Sequence, residues 1–469
     1  MKQVLFTLFV IVPYFLLAQN TNIIAPTGAT PSEAHFEPVY LEKGECLSLE
    51  SRHELEKRIQ KNKQKILSKN PSTFNKSANS VLLTSPIQPK AGFDDYGYHT
   101  INFLVDQNLT PNNNLLDYFC QNRTYDWSSG NHAGTDYIIW PYPWKRMQEE
   151  YMEIIAAADG IIVDKRDGFF DLNCQNNGNP NWNGIVLEHA DGSQTIYIHF
   201  KNGGITSKGI GDFVTQGEFL GIAGSSGSSN IPHLHFEVRD SNGNLIDPFQ
   251  GPCNSTNANS WWANQQDYYV SKINRISTHY STTFDDTCGV IEETYEKVNF
   301  EYGDQMVLRL FFRDLKNNVP VDISIADPNG NVLAQFTWIS NFGQYFATAW
   351  AQWFWNINNT WTDGVYNVSV DFEGNTYNTQ FGVNTNLSLN DMEVNQNLIF
   401  PNPATQSFNI QSNITLKTVS LYDITGKLII NRKINHTEAN INISDLKPGV
   451  YFVALKSNER LTTEKLIIK

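Results

Sequence analysis

The chain has 469 residues, a formal net charge of −14 and a pI near 5.2. An acidic surface repels phosphate groups, so the charge excludes nucleic acid as an expected partner. The length predicts two to four domains, because a single domain rarely exceeds about 250 residues. After the amino-terminal segment, no stretch has the run of about 18 apolar residues that a membrane-spanning helix needs. We therefore expect a soluble protein, and nothing in the sequence demands more than a monomer.

The amino-terminal segment has the pattern of a secretory signal peptide. A short basic head, Met1–Gln3, precedes an apolar run from Val4 to Ala18. The run is too short for a membrane anchor and is interrupted by Pro13. We expect residues 1–18 to be a signal peptide and the remainder to be exported.

Residues 19–92 are predicted to form a prosegment and linker. Residues 47–67 are the one convincing helical stretch of the sequence, with Ser51 and Glu54 at capping-box spacing. Residues 68–92 are rich in Ser, Asn, Pro and Lys, which is typical of a linker. Such a segment can cover a groove until it is cleaved, as in a zymogen.

Five cysteines occur in the chain, and cysteines of an exported protein commonly form disulfides. The pairing that we prefer joins Cys253 to Cys288 and Cys120 to Cys174, which leaves Cys46 as an odd thiol. Four cysteines allow three connectivities, so the pairing stays open at this point.

Residues 93–289 have the pattern of an antiparallel β domain. Short strand-like runs alternate with Gly, Asn and Asp, as at 160–163, 184–187 and 218–222. Asp191-Gly192, between two such runs, is a hairpin signal. The Gly-rich segment 224–229 lacks the Lys and the following helix of a phosphate loop, so we expect a turn between strands there.

The segment 228–238 is the most informative part of this region. Its alternation predicts a strand with apolar side chains on one face and His233, His235 and Glu237 on the other. Two imidazoles placed two residues apart on one strand face can reach a single cavity, where they need not have the same role.

Two further segments carry polar residues of the same kind. In residues 195–200, alternation places Tyr197 and His199 on the polar face of a second strand. Upstream, His132 and Asp136 lie four residues apart around a glycine. The three segments together offer four histidines and one carboxylate.

This combination favours a zinc hydrolase, which holds its metal by three protein ligands and leaves a fourth position for water. The candidate ligands are His132, Asp136 and one of His233 and His235. The remaining histidine of that pair and His199 suit the roles of general base and oxyanion donor. A lone strand histidine is usually only a polar residue with structural partners. We assign only such a structural role to six histidines without a partner motif: His35, His53, His99, His189, His279 and His436.

Residues 290–385 contain no histidine and again have a β pattern, with turns at 327–330 and 363–364, which predicts a small β-sandwich. A tryptophan cluster in this region suits either a carbohydrate or polymer platform or, more commonly, core and edge packing. The cluster consists of Trp350, Trp353, Trp355 and Trp361.

Residues 386–469 follow an Asn-rich stretch and predict, by themselves, a sandwich module of about seven strands. They contain Pro401-Asn402-Pro403, a turn within 421–427, the segment 446–451 and a basic carboxyl end. A polymer-binding sandwich is one interpretation of this segment.

Residues 93–250 resemble the lysostaphin and β-lytic type zinc metallopeptidases. The signature of that family is H-x-G-x-D, a lone strand histidine and P-H-L-H-F-E, and the motifs stand here at 132–136, 197–200 and 232–237. The resemblance implies that His132, Asp136 and His235 bind Zn2+ and that His199 and His233 are catalytic histidines. It leaves open which of the two is the base.

Three more residues have open roles. Glu237 either orients a ligand histidine or is exposed at the surface. Tyr125 is a candidate oxyanion donor. Cys46 is either a thiolate at the open zinc position or, more commonly for such a residue, an unpaired or intermolecularly paired cysteine.

The last segment resembles the C-terminal sorting domain of the type IX secretion system of Bacteroidetes. The resemblance rests on Pro401-Asn402-Pro403, the turn ending at Gly426-Lys427 and the segment 446–451. It implies the type IX secretion machinery as a partner. The expected route is export to the periplasm, then passage across the outer membrane to the cell surface or medium.

The sequence therefore predicts a mostly β protein: an antiparallel β-sheet metallopeptidase domain (93–289) and two β-sandwich domains (290–385 and 386–469), after a short helical prosegment. The expected function is a secreted zinc metalloendopeptidase acting on peptide or peptidoglycan substrates, in cross-bridges or glycine-rich peptides. The alternatives are a secreted protease of external structural proteins and a non-catalytic wall-binding scaffold.

Overall fold

The computed structural model describes residues 34–38, 47–74, 81–108, 110, 114–128, 130–285, 287–341, 343, 345–385, 387, 397–423, 427–457 and 461–469. The predicted signal peptide, Cys46 and Gly426 lie outside these residues. The chain divides into two compact units, Met1–Lys90 with Tyr96–Leu387 and Ala91–Asp95 with Ser388–Lys469. No helix in the described part is both long enough and apolar enough to cross a membrane.

The protein is mostly β, as the sequence predicts. Its amino-terminal part has one strand, β1 (Ala34–Pro38), and one long helix, α1 (Leu49–Lys69). Helix α1 begins after Ser48, whose hydroxyl accepts a hydrogen bond from the Ser51 amide at 3.1 Å. The predicted capping box at Ser51 and Glu54 is therefore wrong: Ser48 supplies an earlier cap, and Glu54 instead pairs with Lys57 at 2.6 Å.

The region that carries the histidine motifs has fourteen strands and one short helix. In chain order they are β2 (Ile87–Pro89), β3 (His99–Phe103), β4 (Asp126–Trp127), β5 (Gly130–Asn131), β6 (Thr135–Ile139), α2 (Pro143–Gln148), β7 (Met152–Ile155), β8 (Gly160–Arg166), β9 (Gly184–Glu188), β10 (Gln194–Ile198), β11 (Phe200–Ile205), β12 (Phe213–Val214), β13 (Phe219–Ala223), β14 (His233–Arg239) and β15 (Leu245–Ile246).

Most of these strands form two sheets. The large sheet has the order β12-β8-β9-β10-β14-β6-β3, with β15 paired to β14, and its neighbours run antiparallel. The small sheet has the order β11-β13-β7-β2, and β4 pairs with β5. This is the antiparallel β domain that the sequence predicts.

The large sheet is covered on both faces. On one face Ile162, Leu187 and Phe236 join Met152 and Leu220 of the small sheet in a core whose members are almost fully buried. The opposite face belongs to a second cluster, formed by Leu55 and Ile59 of α1 and by side chains of the sheet: Val163, Val186, Ile196 and Ile198. Burying each such aliphatic side chain contributes roughly 1.5–3 kcal/mol, so α1 is firmly packed on this face.

The next region is a sandwich of two sheets. Its strands are β16 (Lys272–His279), β17 (Asn299–Phe300), β18 (Gln305–Leu315), β19 (Pro320–Ala326), β20 (Val332–Ile339), β21 (Phe346–Asn356), β22 (Gly364–Phe372) and β23 (Asn375–Val383). One sheet has the order β1-β21-β18-β16 and the other β17-β23-β22-β19-β20. Strand β16 comes from the segment assigned by sequence to the metallopeptidase domain; the domain bounds themselves stay predictions.

The tryptophan cluster of the sandwich is buried, with exposures of 0–6%. Trp353, Trp355 and Trp361 belong to the sandwich core, and Trp350 packs with Trp140. The packing role is therefore confirmed and the polymer platform is wrong, because no indole face of the four is open to a ligand.

The second unit forms one five-stranded sheet. Its strands are β24 (Asn397–Phe400), β25 (Ser407–Asp423), β26 (Leu428–Asn442), β27 (Gly449–Lys456) and β28 (Leu461–Ile468), in the order β24-β25-β27-β28 with β26 paired to β25. Within the described residues there are five strands, fewer than the seven or so expected, and two of them, β25 and β26, are long, with 17 and 15 residues.

Two disulfides join Cys120 to Cys253 and Cys174 to Cys288. The preferred pairing from sequence is therefore wrong. Closeness along the chain does not predict the pairing of these cysteines, because tertiary contacts bring distant segments together. For example, the Cys253 amide donates to the Tyr118 carbonyl at 3.0 Å.

Replacing Cys174 and Cys288 by Ser should lower the free energy of unfolding by about 2–5 kcal/mol, because the bond closes a long loop in the unfolded chain. Peptide mapping of the non-reduced protein checks the connectivity. It should yield crosslinked peptides for 120–253 and 174–288, and a 120–174 crosslink would contradict the fold.

One buried histidine outside the motifs makes the stability dependent on pH. The His279 ring lies 2.9 Å from the Ser277 hydroxyl and 2.6 Å from the Thr294 carbonyl. Burial, helped by the nearby Arg309 charge, lowers the pKa of His279 to about 3. In the unfolded chain the same group takes up a proton near pH 6.5.

His279 therefore contributes full stability above pH 6.5, and this contribution is lost as the pH falls from 6.5 towards 3, at about 1.4 kcal/mol per pH unit. His279→Gln should lose less stability between pH 6.5 and 5 than the wild type. Urea unfolding followed by tryptophan fluorescence reports on the first unit, because all 11 tryptophans precede residue 388. The exposed His53→Gln is the control, and identical slopes for all three proteins would contradict the assignment.

Candidate metal centre

The predicted site residues meet where β6 and β14 pair. In the antiparallel register His235 lies opposite Asp136, and His132 lies three positions before Thr135, the first residue of β6. The alternation predicted for β14 is confirmed: Leu234, Phe236 and Val238 enter the core, whereas His235 and Glu237 occupy the other face.

His132, Asp136 and His235 form a compact group. The Nε2 atom of His132 lies 3.1 Å from Oδ2 of Asp136, and Nδ1 of His235 lies 2.8 Å from Oδ1 of the same carboxylate. The two ring nitrogens are 3.2 Å apart. One ligand atom of each residue lies within 4.8 Å of the others, a spacing that can hold a metal ion.

The opposite nitrogen of each ring is already engaged. Nδ1 of His132 lies 2.7 Å from the Leu104 carbonyl, and Nε2 of His235 lies 3.0 Å from Oε1 of Glu237. Both partners can only accept. With a cation at the centre, the proton therefore sits on that nitrogen, and the nitrogen facing the cation carries a lone pair. Two lone pairs and a carboxylate converging on one point form a donor set that suits a cation such as zinc.

The carboxylate of the group is ionised. Burial alone would raise the pKa of Asp136, but the surrounding imidazoles of His132, His233 and His235 hold this pKa well below its ordinary value. An ionised carboxylate is the form that ligates a metal.

His199 corrects the alternation argument. Tyr197 lies opposite Phe236 and enters the core, so Tyr197 and His199 do not share a polar strand face as predicted. Strand β10 ends at Ile198, and His199 has a positive φ of 73°. This left-handed backbone, which is strained for a residue with a side chain, places the His199 ring 6.0 Å from that of His235.

His199 and His233 flank the group as a pair, with ring centroids 4.5 Å apart. Nδ1 of His199 lies 2.6 Å from the Ser226 carbonyl, and Nδ1 of His233 lies 2.7 Å from the Ile231 carbonyl. Each ring therefore presents an unprotonated Nε2, and that of His233 is 3.8 Å from Asp136. Burial lowers the pKa of both rings, so both are neutral near pH 7.

Glu237 is 1% exposed, so the alternative of a surface residue is wrong. Its carboxylate accepts from His235 and forms a double hydrogen bond with Arg52 of α1, at 2.8 and 2.9 Å. Arg239 donates to it at 2.8 Å. Burial would raise the pKa of Glu237, but Arg52 and Arg239 hold it well below its ordinary value.

Tyr125 packs against the group. Its ring stacks on that of His132 at a centroid distance of 4.4 Å and meets Phe103 at 4.7 Å. The contact fixes the plane of a candidate ligand; donation to an oxyanion stays a prediction.

Sequence reasoning missed the partners that orient the rings. The carbonyls of Leu104, Ser226 and Ile231 carry no signal in the sequence, because any residue has one. Arg52 was part of the predicted helix, but its contact with Glu237 spans 185 positions and has no local pattern.

Comparison with known proteins identifies two modules in the chain. The model of peptidase family M23 matches residues 145–248, and that of the secretion system C-terminal sorting domain matches residues 398–469. The first range contains His199, His233 and His235, whereas His132 and Asp136 precede it.

Two curated relatives are 36% identical over short ranges. The DD-carboxypeptidase/endopeptidase Mpg of Neisseria meningitidis matches over 118 residues, which is 25% of this chain and 22% of the relative. The cell division protein DipM of Caulobacter vibrioides matches over 87 residues, 18% of this chain and 12% of the relative. The chain thus spans less than a quarter of the length of these relatives.

Among solved structures, the catalytic domain of lysostaphin from Staphylococcus simulans is 26% identical, with a TM-score of 0.19, and the match covers 26% of this chain and 78% of that domain. The two family models describe two modules, one a peptidase and the other a sorting domain. The chain therefore contains a peptidase domain of family M23 and a secretion system C-terminal sorting domain.

Proposed function

We propose that this protein is a secreted zinc metalloendopeptidase whose substrate is peptidoglycan. The observation that carries the proposal is the set of four oriented imidazoles around one ionised carboxylate. The rings of His132 and His235 converge on the carboxylate, with their facing nitrogens 3.2 Å apart. The other two rings present neutral nitrogens beside it. A binding scaffold needs no such arrangement, which is why we prefer the enzyme to a non-catalytic wall-binding protein.

The relatives support the substrate class. One relative is a DD-carboxypeptidase/endopeptidase and another is a cell division protein. Because the matches cover short parts of those proteins, the substrate is part of the proposal. A secreted protease of external structural proteins remains the second candidate within the same reaction class.

In this proposal His132, Asp136 and His235 hold Zn2+. When bound, zinc polarises the scissile carbonyl and lowers the pKa of water, as in other zinc hydrolases. The residues fit that ion, because each ring is fixed by Leu104 or Glu237 in the tautomer that leaves its ligand nitrogen unprotonated.

His199 and His233 have the two remaining roles. A neutral imidazole accepts the proton of the attacking water at Nε2, whereas donation to the developing oxyanion requires a ring that carries a proton on Nε2. Both present Nε2 towards the centre, since both Nδ1 atoms are held by backbone carbonyls. The two are too similar in position for the geometry to assign base and oxyanion donor between them.

The sorting domain implies secretion. We propose the two-step route of the type IX system: export to the periplasm by residues 1–18, then transfer across the outer membrane by residues 386–469. Residues 19–92 act as the prosegment, 93–289 as the metallopeptidase domain and 290–385 as an accessory sandwich.

His235→Ala should abolish both zinc binding and hydrolysis, because it removes a ligand. His233→Ala should retain zinc and lose at least about a hundredfold in kcat/KM, the usual contribution of a general acid or base. Zinc content by mass spectrometry beside an activity assay separates the two effects, with the exposed His53→Ala as control. Hydrolysis at the wild-type rate by His235→Ala would contradict the site.

Purified peptidoglycan and a glycine-rich protein, incubated with the processed enzyme, test the substrate. New amino termini in the wall peptides that disappear with a zinc chelator are the expected result, read by mass spectrometry of the fragments. Cleavage of the protein alone would move the function to external proteolysis. If neither is cut, the scaffold becomes the better account.

A further inference from the structure

Helix α1 lies on the face of the large sheet that carries the metal centre. In the register of β10 and β14, Ile198 is opposite His235 and Ile196 is opposite Glu237. Both isoleucines belong to the apolar cluster formed with Leu55 and Ile59 of α1. The helix therefore covers side chains directly beside a candidate metal ligand.

Three basic side chains of α1 pair with three carboxylates of the sheet. The distances are 2.8 Å from Arg52 to Glu237, 2.9 Å from Arg58 to Asp164 and 2.7 Å from Lys63 to Glu188. The carboxylates are buried, with exposures of 1%, 2% and 4% in that order. Buried carboxylates are stable only when they are paired, so each depends on a cation, and the helix supplies one to each.

The pairs span the sheet. The register places Glu237, Ile196, Val186 and Asp164 in one row across β14, β10, β9 and β8. At about 4.8 Å per strand the row is roughly 14 Å long. Arg52 and Arg58 are about 9 Å apart along a helix axis, and their long side chains cover the remainder. Helix α1 thus crosses four strands and fixes itself at both ends of the row.

The charges of α1 are divided between its faces. The helix has seven Lys or Arg residues and three Glu. Arg52, Arg58 and Lys63 are partly buried against the sheet, whereas Lys57, Lys61 and Lys65 are exposed. Binding of α1 to the acidic row therefore depends on three specific cations and not on its net charge.

One of the pairs reaches the metal centre. Arg52 holds both oxygens of Glu237, and Oε1 of Glu237 also accepts from His235. With α1 in place, the five residues of the centre (His132, Asp136, His199, His233 and His235) are 0–6% exposed.

We propose that α1 is an inhibitor built into the chain, which occupies the sheet face across which a substrate peptide must approach His132, Asp136 and His235. The proposal rests on the proposed peptidase function. The Arg52, Arg58 and Lys63 pairs hold the helix in place, and its release lets water reach the three carboxylates. Cleavage between Phe74 and Val81 removes the covalent link on the carboxyl side of α1, while β1 on the amino side stays paired with β21. Once α1 is also separated from β1, the ion pairs decide whether the helix stays.

The full-length chain tests this proposal when residues 39–45 and residues 75–80 are each replaced by the recognition sequence of a specific protease, so that cleavage leaves α1 on an amino-terminal fragment without β1, which pairs with β21. The lock variant carries Arg52→Ala, Arg58→Ala and Lys63→Ala. The matched control carries Lys57→Ala, Lys61→Ala and Lys65→Ala, which removes the same charge from the exposed face. Gel filtration after cleavage measures whether the amino-terminal fragment stays bound, and a peptidase assay measures the rate.

The uncut parent protein and the uncut control should be nearly inactive. The uncut lock variant should be at least about tenfold more active, because each substitution removes a cationic partner from a buried carboxylate and so weakens the hold on the helix, although Glu237 keeps Arg239. After cleavage the fragment should leave the lock variant and remain on the control. High salt should release it from the parent as well, since salt screens charge pairs once they are exposed to solvent.

Two results would overturn the proposal. If the uncut parent protein is as active as the cleaved lock variant, α1 is a structural part of the domain, while the peptidase function stands. If the fragment dissociates but no preparation hydrolyses any substrate, the proposed function has failed, and the inhibitor role fails with it.

Discussion

The metal centre depends on how its histidine rings are held. Each of the four rings has one nitrogen on a fixed acceptor: three bond to backbone carbonyls and His235 bonds to Glu237. These contacts fix the orientation of each ring and direct its other nitrogen towards the space around Asp136. The arrangement is preorganised, which is what both tight metal binding and electrostatic catalysis require. It also explains why the sheet must be antiparallel and in this register, since only then does His235 lie opposite Asp136.

The same arrangement has a cost, which the surrounding structure must offset. His199 reaches the centre through a left-handed backbone, and such residues persist only where their surroundings hold them. Glu237, Asp164 and Glu188 are carboxylates buried in one face of a sheet, where an unpaired charge is strongly destabilising. Arginine and lysine side chains of α1 neutralise them. In the inhibitor proposal, the contacts of α1 that stabilise the fold are the same ones that hold it on the substrate face, so stability and inhibition are linked.

Local patterns predicted the strands and the face on which His233, His235 and Glu237 lie, because alternation acts over two residues. They also predicted the long helix, and the motif resemblance selected the residues that the fold brings together. The failures share a cause. The disulfide pairing, the orientation of His199 and the partners of α1 all depend on contacts between distant segments or on a single backbone angle. Neither leaves a periodic signal in the sequence. The helix cap is a different case, because there a local pattern favoured Ser51 although Ser48 caps the helix.

Zinc bound by His132, Asp136 and His235 is the central claim, and anomalous diffraction at the zinc edge tests it most directly. Crystals of the full-length protein grown with zinc should show one strong anomalous peak bounded by Nε2 of His132, a carboxylate oxygen of Asp136 and Nδ1 of His235. A peak held by Nε2 of His235, or by residues other than these three, would contradict the orientation of the rings. The absence of any peak at this position would remove the metal centre from the account.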